Sequence, residues 1–224
     1  MGFIFAKNFS VLSFDKKFNT NTFLTTNIVL FFFIFVNNKK KGIKMSTVEP
    51  IRNLNDLKRV EKVLEKQNLR NVLFFVIGTN CGLRISDIVA LNVSDVLNKK
   101  YLQIIEKKTK KFKKIPINSK ILHLLKVYLK DKKLEEPLFT SCFGNRLNRF
   151  SAYRIIKNAC KIAGLEDRVG THTLRKTFGY HHYQKFKDVA LLQKIFNHSA
   201  PDITLRYIGI NQEQIENSYA NFIL

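Results

Sequence analysis

From residue 54 onward apolar residues recur every three or four positions, so the chain reads as a succession of short helices. "LNDLKRVEKVLEKQ" predicts a helix over about 54–67, opened by Asn53 or Asn55 as its cap. "RNVLFFVIGT" (70–79) predicts an apolar helix stopped by Asn80–Gly82, and "RISDIVAL" (84–91) begins a third. The period then changes to two. "YLQIIEKKTKKFKKIPI" (101–117) predicts two strands, Leu102–Glu106 and Lys111–Ile117, about a basic turn. A short strand near 94–97 is expected to make the sheet three-stranded and antiparallel. Helical spacing returns over 119–132, 148–164, 171–184, 188–196 and 201–208, with a tail helix over about 211–220. The expected fold class is α+β: a mostly helical domain carrying one small sheet.

Residues 1–44 do not share this pattern. They are rich in Phe and Asn, and their unbroken apolar run, Ile28–Val36, is nine residues long. A bilayer span needs ~20. No small-residue cleavage site follows the run, and its lysines come after it rather than before, so it does not resemble an export signal. "KKKGIKM" back-translates to a purine-rich stretch just ahead of a start codon at Met45, as a bacterial ribosome-binding site read through as protein would. The expected organisation is therefore a non-domain extension over 1–44 and a single domain over 45–224, with translation starting at Met45. N-terminal sequencing of the native protein tests this.

The chain carries a formal net charge of +22. The first 44 residues hold seven of the 39 Lys and Arg and one of the 17 Asp and Glu, so residues 45–224 keep a net +16. Basic residues spread along a whole domain favour a polyanion, because each neutralised phosphate releases condensed counterions. An anionic membrane surface is the other reading of such a charge. Cys81, Cys142 and Cys160 are odd in number and lack C-x-x-C or metal-ligand spacing, so a disulfide scaffold and a structural zinc are both poor readings. All three are expected to be small core residues.

Several stretches could carry chemistry. His172 and Arg175 in "THTLRKTFGYHHY" are three apart, a spacing that lets both meet one ligand from a helix, although H-x-x-R also arises as a surface pair. Arg84 follows a Gly-containing turn at a helix start, where a cation opposes the macrodipole. A nearby anion would offset that, as would an ion pair with Asp87. Six lysines fall in the nine residues 106–114. A solvated hairpin accounts for most of them, and one crowded by other cations could become a proton donor. Tyr207 stands nine positions after His198 in "FNHSAPDITLRYIGI". A phenol is a weak nucleophile unless cations and a base stabilise its phenolate. Two arginines, a lysine and two histidines supply them, an inventory suited to attack on a phosphodiester.

The order Arg84, Lys108, His172, Arg175, His198, Tyr207 resembles that of the tyrosine recombinases, or phage integrases. "TNCGLRISDIVALNVSDV" is similar to the family's first-arginine box, G-L-R-x-S-D/E followed by an apolar residue. "THTLRKTFGYH" resembles its H-x-L-R-H/K-S/T box, and "IFNHSAPDITLRYIGI" its L/I-G/N-H-S/K…T-x-x-Y box, with Asn197 where glycine is commoner. The family's hairpin lysine lies eight residues before the proline that ends the second strand, which selects Lys108 from Pro116. The resemblance covers about residues 53–215.

The resemblance implies a site-specific DNA strand transferase of the DNA breaking-rejoining fold, working on double-stranded DNA without metal or other cofactor. Tyr207 would be the nucleophile, Arg84 and Arg175 the phosphate clamp, Lys108 the general acid, His172 the base and His198 a hydrogen-bonding stabiliser. Lys107, Lys110, Lys111, Lys113 and Lys176 are the expected contacts to the DNA backbone. It also implies a cytoplasmic protein of a bacterium, prophage or other mobile element, with no membrane partner. Assembly is expected as a homo-tetramer on DNA through the C-terminal tail, with a monomer possible without DNA, and a tail helix packed on its own domain is the other reading. Only about ten residues separate Met45 from the first helix, so the resemblance is to the catalytic domain alone, without the family's N-terminal clamp domain. A catalytically silent DNA-binding accessory and a type IB topoisomerase-like nicking-closing enzyme are the alternative readings.

Overall fold

The computed structural model describes residues 48–165, 169–210 and 218–223. Along these the elements run α1 (Leu54–Gln67), α2 (Leu69–Cys81), α3 (Ile85–Ile88), β1 (Tyr101–Ile105), β2 (Phe112–Pro116), α4 (Ser119–Tyr128), α5 (Arg149–Ile162), α6 (Thr173–Phe186), α7 (Val189–Phe196) and α8 (Pro201–Ile208). Asparagine side chains open four of the helices. Asn53, Asn68, Asn118 and Asn148 accept from backbone N–H groups in the first turns of α1, α2, α4 and α5. Each such cap satisfies a donor that the helix leaves open and contributes about 1 kcal/mol.

Helix α2 is buried on nearly every side, from Asn71 through Gly78 and again at Cys81. An all-round apolar helix belongs at the centre, and α1, α4 and α6 pack around it. Leu64, Phe74, Leu83, Phe139 and Ile156 are among the side chains that fill the main core. A second, smaller cluster of Leu192, Phe196 and Ile208 joins α7 and α8 to α6. Gly179 makes that junction possible, since a Cβ there would come within 2.7 Å of both Phe196 and Ile208. Ahead of α1, the chain lies along α6. The Ile51 N–H donates to Thr177 Oγ1 at 2.9 Å, the Ile51 carbonyl lies 2.9 Å from His181 Nε2, and Arg52 donates to the Gly209 carbonyl at 3.2 Å.

Three sequence expectations change. The strand expected near 94–97 is instead a 3-10 turn, Val93–Asp95, because Asn92 and Asp95 form a reciprocal capping box. The sheet among the described residues therefore has two strands, paired antiparallel from Tyr101↔Pro116 to Ile105↔Phe112. The helix expected over 84–91 is the single turn α3, and the carbonyls of Val89, Ala90 and Leu91 accept from the Arg146 guanidinium instead of continuing it. Cys142 is exposed, unlike the buried Cys81 and Cys160. The tail helix expected over 211–220 lies outside the described residues, apart from a helical stretch at 218–220. Among the described residues no helix is long and apolar enough to cross a membrane.

Candidate active site

The site forms where the α2–α3 corner, the hairpin turn, the start of α6 and the α7–α8 corner meet. Gly82 ends α2 at φ 60°, a left-handed conformation that glycine adopts without steric cost. The chain turns there and delivers Arg84 to the cap position of α3. His172 occupies the cap position of α6, and Arg175 lies in the first turn of that helix. His172 and Arg175 reach the site at different depths, and both act on the Tyr207 hydroxyl. His172 faces the surface groove, whereas Arg175 is buried beneath it, donating to the Gly82 carbonyl at 2.6 Å and to the Phe196 carbonyl at 3.0 Å. Its guanidinium also sits 4.4 Å from the Phe196 ring centroid. The arginine thus links the two corners that carry Arg84 and His198.

Tyr207 lies on α8, whose start is set by Pro201 in the first turn. Its hydroxyl is 3.3 Å from His172 Nδ1, and its ring packs edge-on to Phe196 and His198 at centroid distances of 5.4 and 5.2 Å. Burial raises the phenol pKa above its usual value, while Arg175 and Arg84 pull it back down. Burial also lowers His172, with Arg175, Lys176, Arg84 and Lys108 adding to the effect. A histidine kept neutral beside a phenol can accept its proton. His198 is lowered by burial and by Arg175, Arg84 and Lys113, and its Nδ1 lies 3.0 Å from the buried Thr204 hydroxyl, which fixes the ring.

Arg84, Lys107, Lys108, Arg146, Arg149 and His172 line an open groove of about 1180 Å³, with no carboxylate among its lining residues. Lys108 is exposed on the hairpin turn and faces this groove. Lys107, Lys110 and Lys111 are exposed as well, and Lys111 Nζ donates to Asn197 Oδ1 at 2.6 Å. Asn197 itself caps α7 at φ 56°. Asparagine is the residue after glycine that best tolerates this conformation. The other two expected backbone contacts have partners within the protein. Lys113 turns inward to Glu106 at 3.1 Å and the Ile195 carbonyl at 2.5 Å, because those acceptors are buried beside it. Lys176 lies over the Tyr207 ring at 5.3 Å.

Arg84 is not paired with Asp87. It makes a 3.0 Å ion pair with Glu106, and Asp87 accepts from the Lys107 N–H at 3.0 Å. Glu106 and Thr204 are therefore parts of the site that the residue patterns missed. Thr204 could have been found as the threonine of T-x-x-Y. Glu106 had only the signal of one acid interrupting a lysine run. Among the described residues no cluster of His, Cys, Asp or Glu is arranged to hold a metal ion.

A mostly helical domain with one basic hairpin is also the fold of known tyrosine recombinase catalytic domains. The XerA recombinase superimposes with a TM-score of 0.64 at 21% identity, over 77% of this chain and 63% of its own. The catalytic domain of bacteriophage HP1 integrase does so with a TM-score of 0.56 at 24% identity, over 77% of this chain and 95% of its own. This chain therefore spans less than two thirds of the XerA chain and nearly all of the HP1 catalytic domain. In sequence it is 47% identical over 179 residues to the probable integrase/recombinase YoeC of Bacillus subtilis (strain 168), covering 80% of this chain and 98% of that protein. The profile of the phage integrase family matches residues 34–214. The chain belongs to the phage integrase family, whose members include the tyrosine recombinases.

Proposed function

We propose that this protein cuts and reseals double-stranded DNA through a covalent 3′-phosphotyrosyl intermediate on Tyr207, acting as a site-specific recombinase. The observation that carries the reading is the 3.3 Å approach of the Tyr207 hydroxyl to a neutral-leaning histidine above a buried arginine. The phenol oxygen attacks the scissile phosphorus as His172 Nδ1 takes its proton. The bond from phosphorus to the 5′ oxygen breaks, and Lys108 gives that oxygen a proton. Arg84 and Arg175 stabilise the charge gathering on the non-bridging oxygens, and His198 donates a further hydrogen bond. A 5′-hydroxyl from a second duplex reverses the step. The phosphotyrosyl bond conserves the energy of the phosphodiester, so rejoining needs no nucleotide.

The cation-lined groove suits a DNA backbone, with Lys107, Lys110 and Lys111 as exposed contacts. XerH recombinase bound to its difH substrate in a post-cleavage complex has the same fold, with a TM-score of 0.61 at 23% identity, over 80% of this chain and 54% of its own. Assembly on DNA is proposed as a tetramer joined by the tail, whose Phe222 and Ile223 are exposed at 70% and 88%.

Covalent capture tests the reading without knowledge of the target site. Tagged protein is incubated with sheared genomic DNA of its host, denatured in detergent, and the DNA that stays attached is sequenced. Wild type should retain a discrete set of fragments, and Tyr207→Phe none. Retention that survives Tyr207→Phe places the nucleophile elsewhere. DNA binding without any adduct supports the silent accessory. Relaxation of supercoiled plasmid with no strand exchange supports the topoisomerase.

A further inference from the structure

Glu106 is wholly buried, the one carboxylate in direct contact with the cations of the site among the described residues. A buried carboxylate is unfavourable unless charged and hydrogen-bonding groups surround it. Here four side chains do so. Oε2 accepts from the Thr109 hydroxyl at 2.5 Å. Oε1 lies 3.0 Å from Arg84, 3.1 Å from Lys113 and 3.8 Å from Arg175. The Glu106 backbone closes the hairpin turn as well, donating to the Lys111 carbonyl and accepting from the Lys110 N–H, both at 2.9 Å. Lys113 then continues to the Ile195 carbonyl, beside the Phe196 carbonyl that Arg175 holds.

We infer that Glu106 is a positioning residue that locks the Lys108 turn, both arginines and the end of α7 into one arrangement before any DNA arrives. This rests on the strand-transfer reading for its catalytic consequence. The geometry explains why three cations gather without mutual repulsion driving them apart. Burial raises the carboxyl pKa, but Thr109, Lys113 and Arg84 outweigh it and hold the group down to about 2, so it stays ionised at neutral pH. It touches no reacting atom in this scheme. Its effect passes through the groups it holds.

The test uses the full chain carrying Glu106→Gln, Glu106→Asp or Thr109→Val, with two separate readouts. Hydrogen exchange without DNA follows the hairpin, residues 106–111, and the α7 end, residues 195–198. Both segments should exchange faster together in Glu106→Gln, and a rise confined to the hairpin overturns the inference whatever the activity. The second readout is adduct formation on a nicked duplex bearing a captured site, at saturating DNA, beside the Kd for that duplex. The Gln variant should lose about 10- to 100-fold in rate, the usual cost of removing a supporting partner, with Kd unchanged. The Asp variant should recover part of the rate, and Thr109→Val should fall in the same direction by less. A Gln variant that cleaves like wild type, or one whose rate and Kd worsen together, overturns it. If wild type forms no adduct, the strand-transfer reading fails and the exchange result alone decides the positioning role.

Discussion

The phenol oxygen of Tyr207 lies 3.3 Å from Nδ1 of His172, a residue 35 positions earlier in the chain. The contact joins the cap of α6 to the last turn of α8. It holds because α8 rests on the same small cluster, around Phe196 and Ile208, that presses against α6.

The pH dependence of cleavage follows from this pair. His172 must be neutral to accept the proton, and its pKa lies below the ordinary 6.5, first through burial and then through Arg175, Lys176, Arg84 and Lys108. The acid limb of the rate profile should therefore have its midpoint below 6.5. Replacing Lys176 by Gln removes one of the cations that lower the histidine, so the limb should move toward higher pH. Single-turnover adduct formation between pH 4.5 and 8 measures both. A limb that stays fixed in Lys176→Gln would remove His172 from the role of base.

Lys108 is assigned as the proton donor to the departing oxygen. Lys108→Ala should slow cleavage by about 10²–10⁴, the range of a general acid. A substrate with sulfur in place of the 5′ bridging oxygen leaves as a stable thiolate and does not need the proton. On it the variant should approach wild-type rate. If the sulfur substrate is as slow as the oxygen one, Lys108 acts in binding instead.

Gly179→Ala places a methyl group within 2.7 Å of Phe196 and Ile208. Alanine gains up to about 1 kcal/mol of helix propensity. Overpacking costs about 1–3 kcal/mol, so the net change should be destabilising. Thermal unfolding should fall by about 2–4 °C for each kcal/mol lost. Adduct formation should drop further than stability does, because the displaced elements are those that position His198 and Tyr207.

Lys111 and Lys113 stand two positions apart with opposite surroundings, one exposed and one held against Glu106. Lys111→Ala should reduce the slope of log K against log salt by ~0.9, one phosphate contact's worth. Lys113→Ala should leave that slope alone and lower stability and cleavage instead. Equal slope changes for the two would show that Lys113 turns outward to meet DNA.

Most helix spans were legible because apolar spacing and the asparagine before α1 both act locally. Asn197 was legible too, as a glycine-like position, and its left-handed backbone gives the reason. What escaped were the choices made by distant partners. The strand expected near 94–97 gives way to a turn because Asn92 and Asp95, three positions apart, cap each other. The Gly82 and Phe196 carbonyls that hold Arg175 beneath the surface come from 93 and 21 positions away, and nothing local to the H-x-x-R box points to them. Glu106 sits in a run of lysines that reads as solvated hairpin, and only the folded arrangement brings Arg84 and Arg175 to it.

The Ile51–Arg52 segment has a mechanical implication. It grips α6 through Thr177 and His181, and through Arg52 it also holds Gly209, the residue that ends the tyrosine helix. The strap therefore ties the end of the tyrosine helix to the helix that His172 caps. Both flanks of α8 are thus anchored, one by the cluster beneath it and the other by this strap.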